Sequence, residues 1–251
     1  MNTLTLGVLG GLGPMSGVYF CEMLTEHTKA DCDQQHLNFL LSSHATTPDR
    51  TDFILGRSAD NPLPDMLAAL RRLEGAGAEL IAIPCNTAHY FYESIADAAT
   101  VPVINIIDQT VAYCQFCGYR RVGVLATEGT VASGAYESVL HQAGLTYVVP
   151  SPEDQATVSR IIYEQIKKGH SPDREAFERV VAHLLADGCD TVILGCTELS
   201  LLKRSFGLGT ACTDSLEVLA CAAIRLCGKS PTGFDEALMK FLPTKGQKSC
   251  C

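Results

Sequence analysis

Short, almost uninterrupted apolar runs alternate with amphipathic stretches along most of the chain, and the alternation predicts its elements. In the first half, residues 3–9, 38–43, 80–83 and 101–107 read as strands. Their continuous apolar character marks them as buried on both faces, as in a parallel sheet. Helical spacing covers 18–30 and 65–75. A glycine-rich turn at 10–17 precedes the first helix, and a polar segment at 44–52 ends the second strand. The second half reads as strands at 122–126, at 146–149 and around Val192, with helices at 133–144, 152–168, 173–187 and 215–227. Strands alternating with helices imply right-handed βαβ crossovers and mostly parallel, doubly wound sheets, an α/β fold.

The two halves repeat each other. Gly7-Val-Leu9 and Gly123-Val-Leu125 each end a β-rich opening run. Gly77-Ala-Glu-Leu-Ile-Ala-Ile-Pro-Cys85 then matches Gly188-Cys-Asp-Thr-Val-Ile-Leu-Gly-Cys196, with the cysteine eight residues after the glycine and an acid two after it in both. Asp108 and Asp214 follow as a further matched pair. The reading is two pseudo-symmetric lobes, residues 1–116 and 117–214, with the helix at 215–227 folding back onto the first. Residues 228–251 form a tail with a disordered end.

Composition narrows the function. With 251 residues and 47% hydrophobic content the chain can bury a large core. No apolar run is long enough to span a bilayer and the first residues lack the basic start of a signal peptide, so the expectation is a cytoplasmic protein with no membrane partner. A net charge of −9 without a basic stripe argues against nucleic acid. Twelve cysteines are scattered through helix and strand patterns in a chain too large to need disulfide staples, so most read as reduced, buried, small apolar residues. Cys114 and Cys117 form the only close C-x-x-C pair, with no second pair, so no metal site is expected. Cys250-Cys251 follow a polar stretch and read as part of the frayed end.

Gly10-Gly-Leu-Gly-Pro-Met-Ser-Gly17 departs from a dinucleotide fingerprint. Its third glycine falls one place late, Pro14 interrupts the turn, and the second strand ends in Ser42-Ser43-His44 without an acid. Its free backbone N–H groups at a helix start suit a carboxylate as well as a phosphate. Cys85 and Cys196 each end an apolar run, where open α/β sheets place their ligands. Facing each other, one as thiolate can take a proton from carbon while the other returns one to the opposite face, inverting a stereocentre without a cofactor. Asn86, Thr87 and Thr197, directly after the cysteines, sit where helix N-termini lower a thiol pKa and offer donors; Thr87 and Thr197 fit plain N-caps equally well.

Pro84-Cys-Asn-Thr-Ala-His89 with Gly195-Cys-Thr-Glu198, behind Gly10-Gly-Leu-Gly-Pro14, resembles the aspartate/glutamate racemase superfamily, most nearly its aspartate racemase branch. The resemblance runs to about Leu226. It implies a cofactor-independent racemase with its active site in the cleft between two lobes, commonly a homodimer, with Cys85 and Cys196 as the two acid/base catalysts. Glutamate racemases carry an Asp-Ser-Gly start and a Gly-Cys-Thr-His second motif, so Gly-Leu-Gly-Pro and Glu198 favour aspartate. The aspartate branch pairs an arginine and a lysine with the substrate's side-chain carboxylate, which carries over to Arg50 and Lys167. Unaided, the sequence reads both as surface cations and leaves Lys168 as good a choice. Met15, Ser16 and Thr127 are further cleft candidates. His89, four residues past Cys85, fits either proton transfer or helix packing, and Glu198 fits holding the substrate ammonium or orienting Thr197. Other readings are a racemase of glutamate or of broader specificity, a cysteine-dependent dicarboxylate isomerase of the maleate type, and a non-catalytic acidic amino-acid binding protein.

Overall fold

The computed structural model describes residues 3–207 and 211–244. The first half runs β1 (Leu6–Gly10), α1 (Pro14–Glu26), β2 (Phe39–Ser43), α2 (Arg50–Ile54), α3 (Leu63–Gly75), β3 (Leu80–Ala82), α4 (Tyr92–Ala98), β4 (Val103–Ile104) and α5 (Ile106–Phe116). The second runs β5 (Arg121–Leu125), α6 (Glu128–Ala132), α7 (Ala135–Gln142), β6 (Thr146–Val148), α8 (Pro152–Arg160), α9 (Arg174–Ala186), β7 (Thr191–Leu194), α10 (Thr197–Phe206), β8 (Cys212–Asp214) and α11 (Ser215–Leu226), with α12 (Glu236–Lys240) closing the described chain. Each half forms a four-stranded parallel sheet, ordered β2-β1-β3-β4 and β6-β5-β7-β8. The protein is thus an α/β structure of two like sheets. Among the described residues no helix is long and apolar enough to cross a membrane.

The register makes the repeat quantitative. Gly7 pairs with Ile81 and Ile81 with Val103, while Gly123 pairs with Val192 and Val192 with Cys212. Cys85 lies four residues past Ile81 and Cys196 four past Val192, so the two cysteines are equivalent. The same register corrects the third pair. Asp214 corresponds to Asn105, not Asp108, and both residues cap a helix. Asn105 caps α5 by accepting from the amides of Ile107 and Asp108, and Asp214 caps α11 by accepting from Leu216 N. The Asn105 cap also explains why the expected strand at 101–107 is only two residues long; the chain turns into helix at Ile106.

Other differences are local. The polar stretch after β2 ends in α2, capped by Asp49, whose side chain accepts from Asp52 N. The helix expected at 133–144 is α7, and a short helix not expected, α6, precedes it, separated from it at Gly134, which has φ 67°. The long helix expected at 152–168 leaves α geometry after Arg160 for a π turn (Ile161–Gln165) and a tighter turn (Ile166–Lys168), which together re-aim Lys167. The last helix of the first half, α5, packs on α7 and α11, and α11 packs on α1. The segment after 227 is not a free tail: Pro231 bridges Thr28, and Leu238 and Phe241 are buried against Tyr113, Val218 and Cys221. Its expected disordered end, with Cys250 and Cys251, lies outside the described residues.

Candidate active site

Both cysteines sit on tight turns at the carboxyl ends of the central strands β3 and β7. They are 6% and 5% exposed and line one inner cavity of about 10 Å³, room for one water. Arg50, Asn86, Thr87, Thr127, Lys167, Thr197 and Glu198 line the same cavity. An adjoining outer cavity of about 360 Å³ is lined by Met15 and Ser16, and shares Asp49, Arg50, Lys167 and Glu198 with the inner one. The candidate catalytic and substrate-binding residues thus line these two adjoining cavities, whereas His89 lines neither. The structure adds Leu12, Asp49, Thr51 and Tyr163 to the inner walls. Asp49 and Thr51 flank Arg50 and were within reach of a sequence argument; Tyr163, 33 residues short of Cys196, was not.

The two cysteine turns are tied to each other and to both lobes. Thr197 Oγ1 donates to the carbonyl of Pro84 at 3.2 Å, joining the turn after Cys196 to the turn before Cys85. Asn86 donates from Nδ2 to Ser215 Oγ at 3.0 Å and accepts at Oδ1 from the Tyr136 hydroxyl at 2.7 Å, while Ser215 Oγ donates to Leu194 O at 2.7 Å. The Asn86 amide therefore holds the turn. Thr87, Thr127 and Thr130 close a buried ring of three hydroxyls with edges of 2.8 to 3.0 Å, and Thr127 also caps α6. Thr197 and Thr87 act through partners across the cleft rather than as caps of their own helices.

His89 is fixed by two backbone groups. Its Nδ1 donates to the Cys85 carbonyl at 2.8 Å, and its Nε2 accepts from Ile106 N at 3.2 Å. A carbonyl can only accept and an amide only donate, so the neutral Nδ1–H tautomer is set. Burial pulls its pKa down to about 4. The imidazole stays neutral near pH 7 and fastens the Cys85 turn to the start of α5.

Burial decides the state of the thiols. Cys85 is pushed above the ordinary thiol range by desolvation, opposed by the nearby Arg50 guanidinium, then raised again by Glu198, while the Ala88 amide and Lys167 lower it. Cys196 is pushed further, because desolvation is joined by the Glu198 carboxylate, and its Sγ donates to Glu198 Oε2 at 3.0 Å. The sequence expectation that helix N-termini lower these pKa values fails: the Ala88 and Glu198 amides pull down, but desolvation outweighs them. The site is electrostatically lopsided, with Cys85 nearer a cation and Cys196 beside an anion.

The two cations differ in freedom. Arg50 is buried and its terminal nitrogens donate to the carbonyls of Thr47, Pro48 and Leu12, which leaves Nε without a partner. Lys167 Nζ lies 3.6 Å from Asp49 Oδ2 and 4.3 Å from the centre of the Tyr163 ring. Lys168 points away and pairs with Glu164 on the exposed side, which answers which lysine faces the cleft. Gly11 and Gly13 let the first turn pass close by. A side chain on Gly11 would place Cβ 2.4 Å from His44 N, and one on Gly13 would place it 2.3 Å from Glu198 Oε1.

Known proteins share this architecture. The profile of the family described as Asp/Glu/Hydantoin racemase matches residues 9–223. The broad specificity amino-acid racemase RacX of Bacillus subtilis is 27% identical over 225 residues, 87% of this chain and 96% of the relative. Glutamate racemase of Aquifex aeolicus is 33% identical over 138 residues, 53% of this chain and 51% of the relative. The solved structure of Picrophilus torridus aspartate racemase superposes with a TM-score of 0.82 at 29% identity, covering 95% of this chain and 100% of that one.

Proposed function

The chain belongs to the Asp/Glu/hydantoin racemase family, and on that footing we propose that it interconverts L- and D-aspartate by moving the α-proton between Cys85 and Cys196. The observation that carries this reading is the pair of register-equivalent thiols lining one buried cavity together with Arg50 and Lys167. One cysteine, as thiolate, removes the α-proton, and the other, as thiol, protonates the opposite face of the carbanion. No cofactor takes part in this scheme. The Cα–H is a very weak acid, so the dry cavity must present donors to the charge that develops on the α-carboxylate. The hydroxyls of Thr87 and Thr127 line that cavity and are candidates for this role. The unpartnered Arg50 Nε–H and the Lys167 ammonium suit the side-chain carboxylate of a dianionic substrate, with Asp49 holding Lys167 until substrate displaces it. An inner cavity of about 10 Å³ holds no amino acid, so binding requires the walls to part. A homodimer is part of the same proposal, and light scattering on the purified chain checks it.

A broader substrate range is the second reading. It is supported by the resemblance to a broad specificity racemase over 87% of the chain and by the engagement of Arg50's terminal nitrogens with backbone carbonyls. Chiral analysis of product from L-aspartate, L-glutamate and L-alanine separates the two. The aspartate reading expects kcat/KM to be highest for aspartate. It expects Lys167→Met to lower that value by roughly 10- to 100-fold, the worth of one charge-assisted hydrogen bond, while alanine turnover stays put. A preference for neutral amino acids, or an equal loss for both substrates, refutes it.

A further inference from the structure

Four ionisable side chains line both the inner cavity and the outer one that opens past the 64% exposed Met15: Asp49, Arg50, Lys167 and Glu198. Among the described residues, Glu198 is the one of these that hydrogen-bonds a cysteine thiol, through Oε2 to Cys196 Sγ. Its other oxygen lies under Gly13, where a Cβ would meet Glu198 Oε1 at 2.3 Å and Ser16 Oγ at 3.2 Å. The space that glycine leaves open is thus flanked by a carboxylate oxygen and by a buried serine hydroxyl without a partner. Both cysteines line only the inner cavity, but among the described residues no side chain accepts a hydrogen bond from the Cys85 thiol. We infer that Glu198 is a catalytic residue that relays protons between Cys196 and outer water, so that while substrate is bound the proton on the Cys196 face exchanges with solvent and the one on the Cys85 face does not.

The inference rests on the two-cysteine reading and concerns how the enzyme resets. After one turnover in which Cys196 removes the α-proton and Cys85 supplies the new one, Cys196 is a thiol and Cys85 a thiolate. A proton must leave the first and reach the second before the cycle repeats. Glu198 accepts the Cys196 proton as the S–H bond breaks, becomes a carboxylic acid, and releases the proton to water in the outer cavity. In the reverse direction the same carboxyl takes a proton from water and reprotonates Cys196. A proton delivered to Cys85 has no such outlet while the small inner cavity is closed on substrate and stays beside the carbanion, available for return to the carbon it left; the Cys85 thiolate regains its proton from water only after product leaves and the walls part.

The test runs L- and D-aspartate separately in heavy water with the full-length protein, stopped at low conversion. Recovered substrate and product are separated on a chiral column, and deuterium in each is measured by mass spectrometry. The relay predicts that one enantiomer gains deuterium in its recovered substrate at least about fivefold faster, per product formed, than the other. It also predicts that Glu198→Gln brings this ratio to within about twofold of one, whatever happens to the overall rate. A merely structural Glu198 would lower turnover without moving the ratio. If Glu198→Gln is unfolded by circular dichroism, Gly13→Ala, which displaces Oε1, decides in its place. Exchange at equal rates for both enantiomers in the unaltered protein, or an unchanged ratio in the variants, overturns the relay alone. Absence of exchange with either enantiomer overturns the proposed function and the relay with it.

Discussion

Replacing His89 with Gln should make stability less dependent on pH, by an amount the structure allows to be worked out. The folded protein holds His89 near pKa 4 because the ring is buried, whereas an exposed histidine titrates near 6.5. As pH falls, the unfolded chain takes up this proton first, so the contribution is fully present above about 6.5 and is lost between there and about 4. Integrating the two titrations gives a loss of about 1.4 kcal/mol by pH 5.5, about 2.5 kcal/mol by pH 4.5, and about 3 kcal/mol once both states are protonated. Gln can mimic the ring's acceptor for Ile106 N but carries no titratable group. At pH 7.5 the variant should be less stable by about 1–3 kcal/mol, for lost packing and a weakened bond to the Cys85 carbonyl. Urea unfolding of both proteins at pH 7.5, 5.5 and 4.5 isolates the effect, because every other titrating group is common to the two. The stability gap should shrink, and can change sign, by pH 4.5. A gap constant across that range would mean that His89 is not held neutral between the two backbone groups.

Three other outcomes follow from the same geometry. Glu198→Gln removes the carboxylate whose Oε2 accepts from the Cys196 thiol at 3.0 Å and disfavours its thiolate. The Cys196 pKa should fall, which raises the thiolate fraction by more than the accompanying loss of nucleophilicity takes away. Iodoacetamide labelling at pH 8, followed by peptide mass spectrometry, should show Cys196 reacting faster, with the exposed Cys32 unchanged as a control; no change would remove Glu198 as a cause of the raised pKa. Gly13→Ala should lower kcat/KM by more than about tenfold and also lower Tm, since the new methyl group meets the end of Glu198 and the backbone at Gly13, with φ 154°, strains any side chain. Loss of stability without loss of activity would show that the clash is relieved elsewhere. Asp49→Asn should lower KM for aspartate by about three- to tenfold by releasing Lys167 from its 3.6 Å pairing, and a raised KM would instead make Asp49 part of the binding surface.

Much of this was legible in the chain. Buried parallel strands announce themselves by unbroken apolar runs, and Cys85 and Cys196 stand at the same distance from matched glycines because the strands between them are in the same register. Less legible were elements without a start signal. No side-chain cap marks the start of α10, which has Cys196 itself at its N-cap, and α4 grows out of a tight turn with Phe91 in that place. Matching Asp108 to Asp214 by residue type misled, because Asn and Asp cap helices equally well and Asn105 was the true counterpart. Lys167 could not be told from Lys168 in a helical reading, since the choice depends on a π turn that regular spacing does not foretell. Tyr163 reaches the cleft only through tertiary approach.

The most direct check of the central claim is proton NMR of L-aspartate in heavy water with the purified protein, beside Cys85→Ser and Cys196→Ser. The account predicts loss of the α-proton signal with formation of D-aspartate, and a fall in L-to-D turnover of at least about 100-fold in each variant, although one variant can still exchange the proton of a single enantiomer. No loss of the signal with the unaltered protein, or racemisation surviving intact after removal of either thiol, would contradict it.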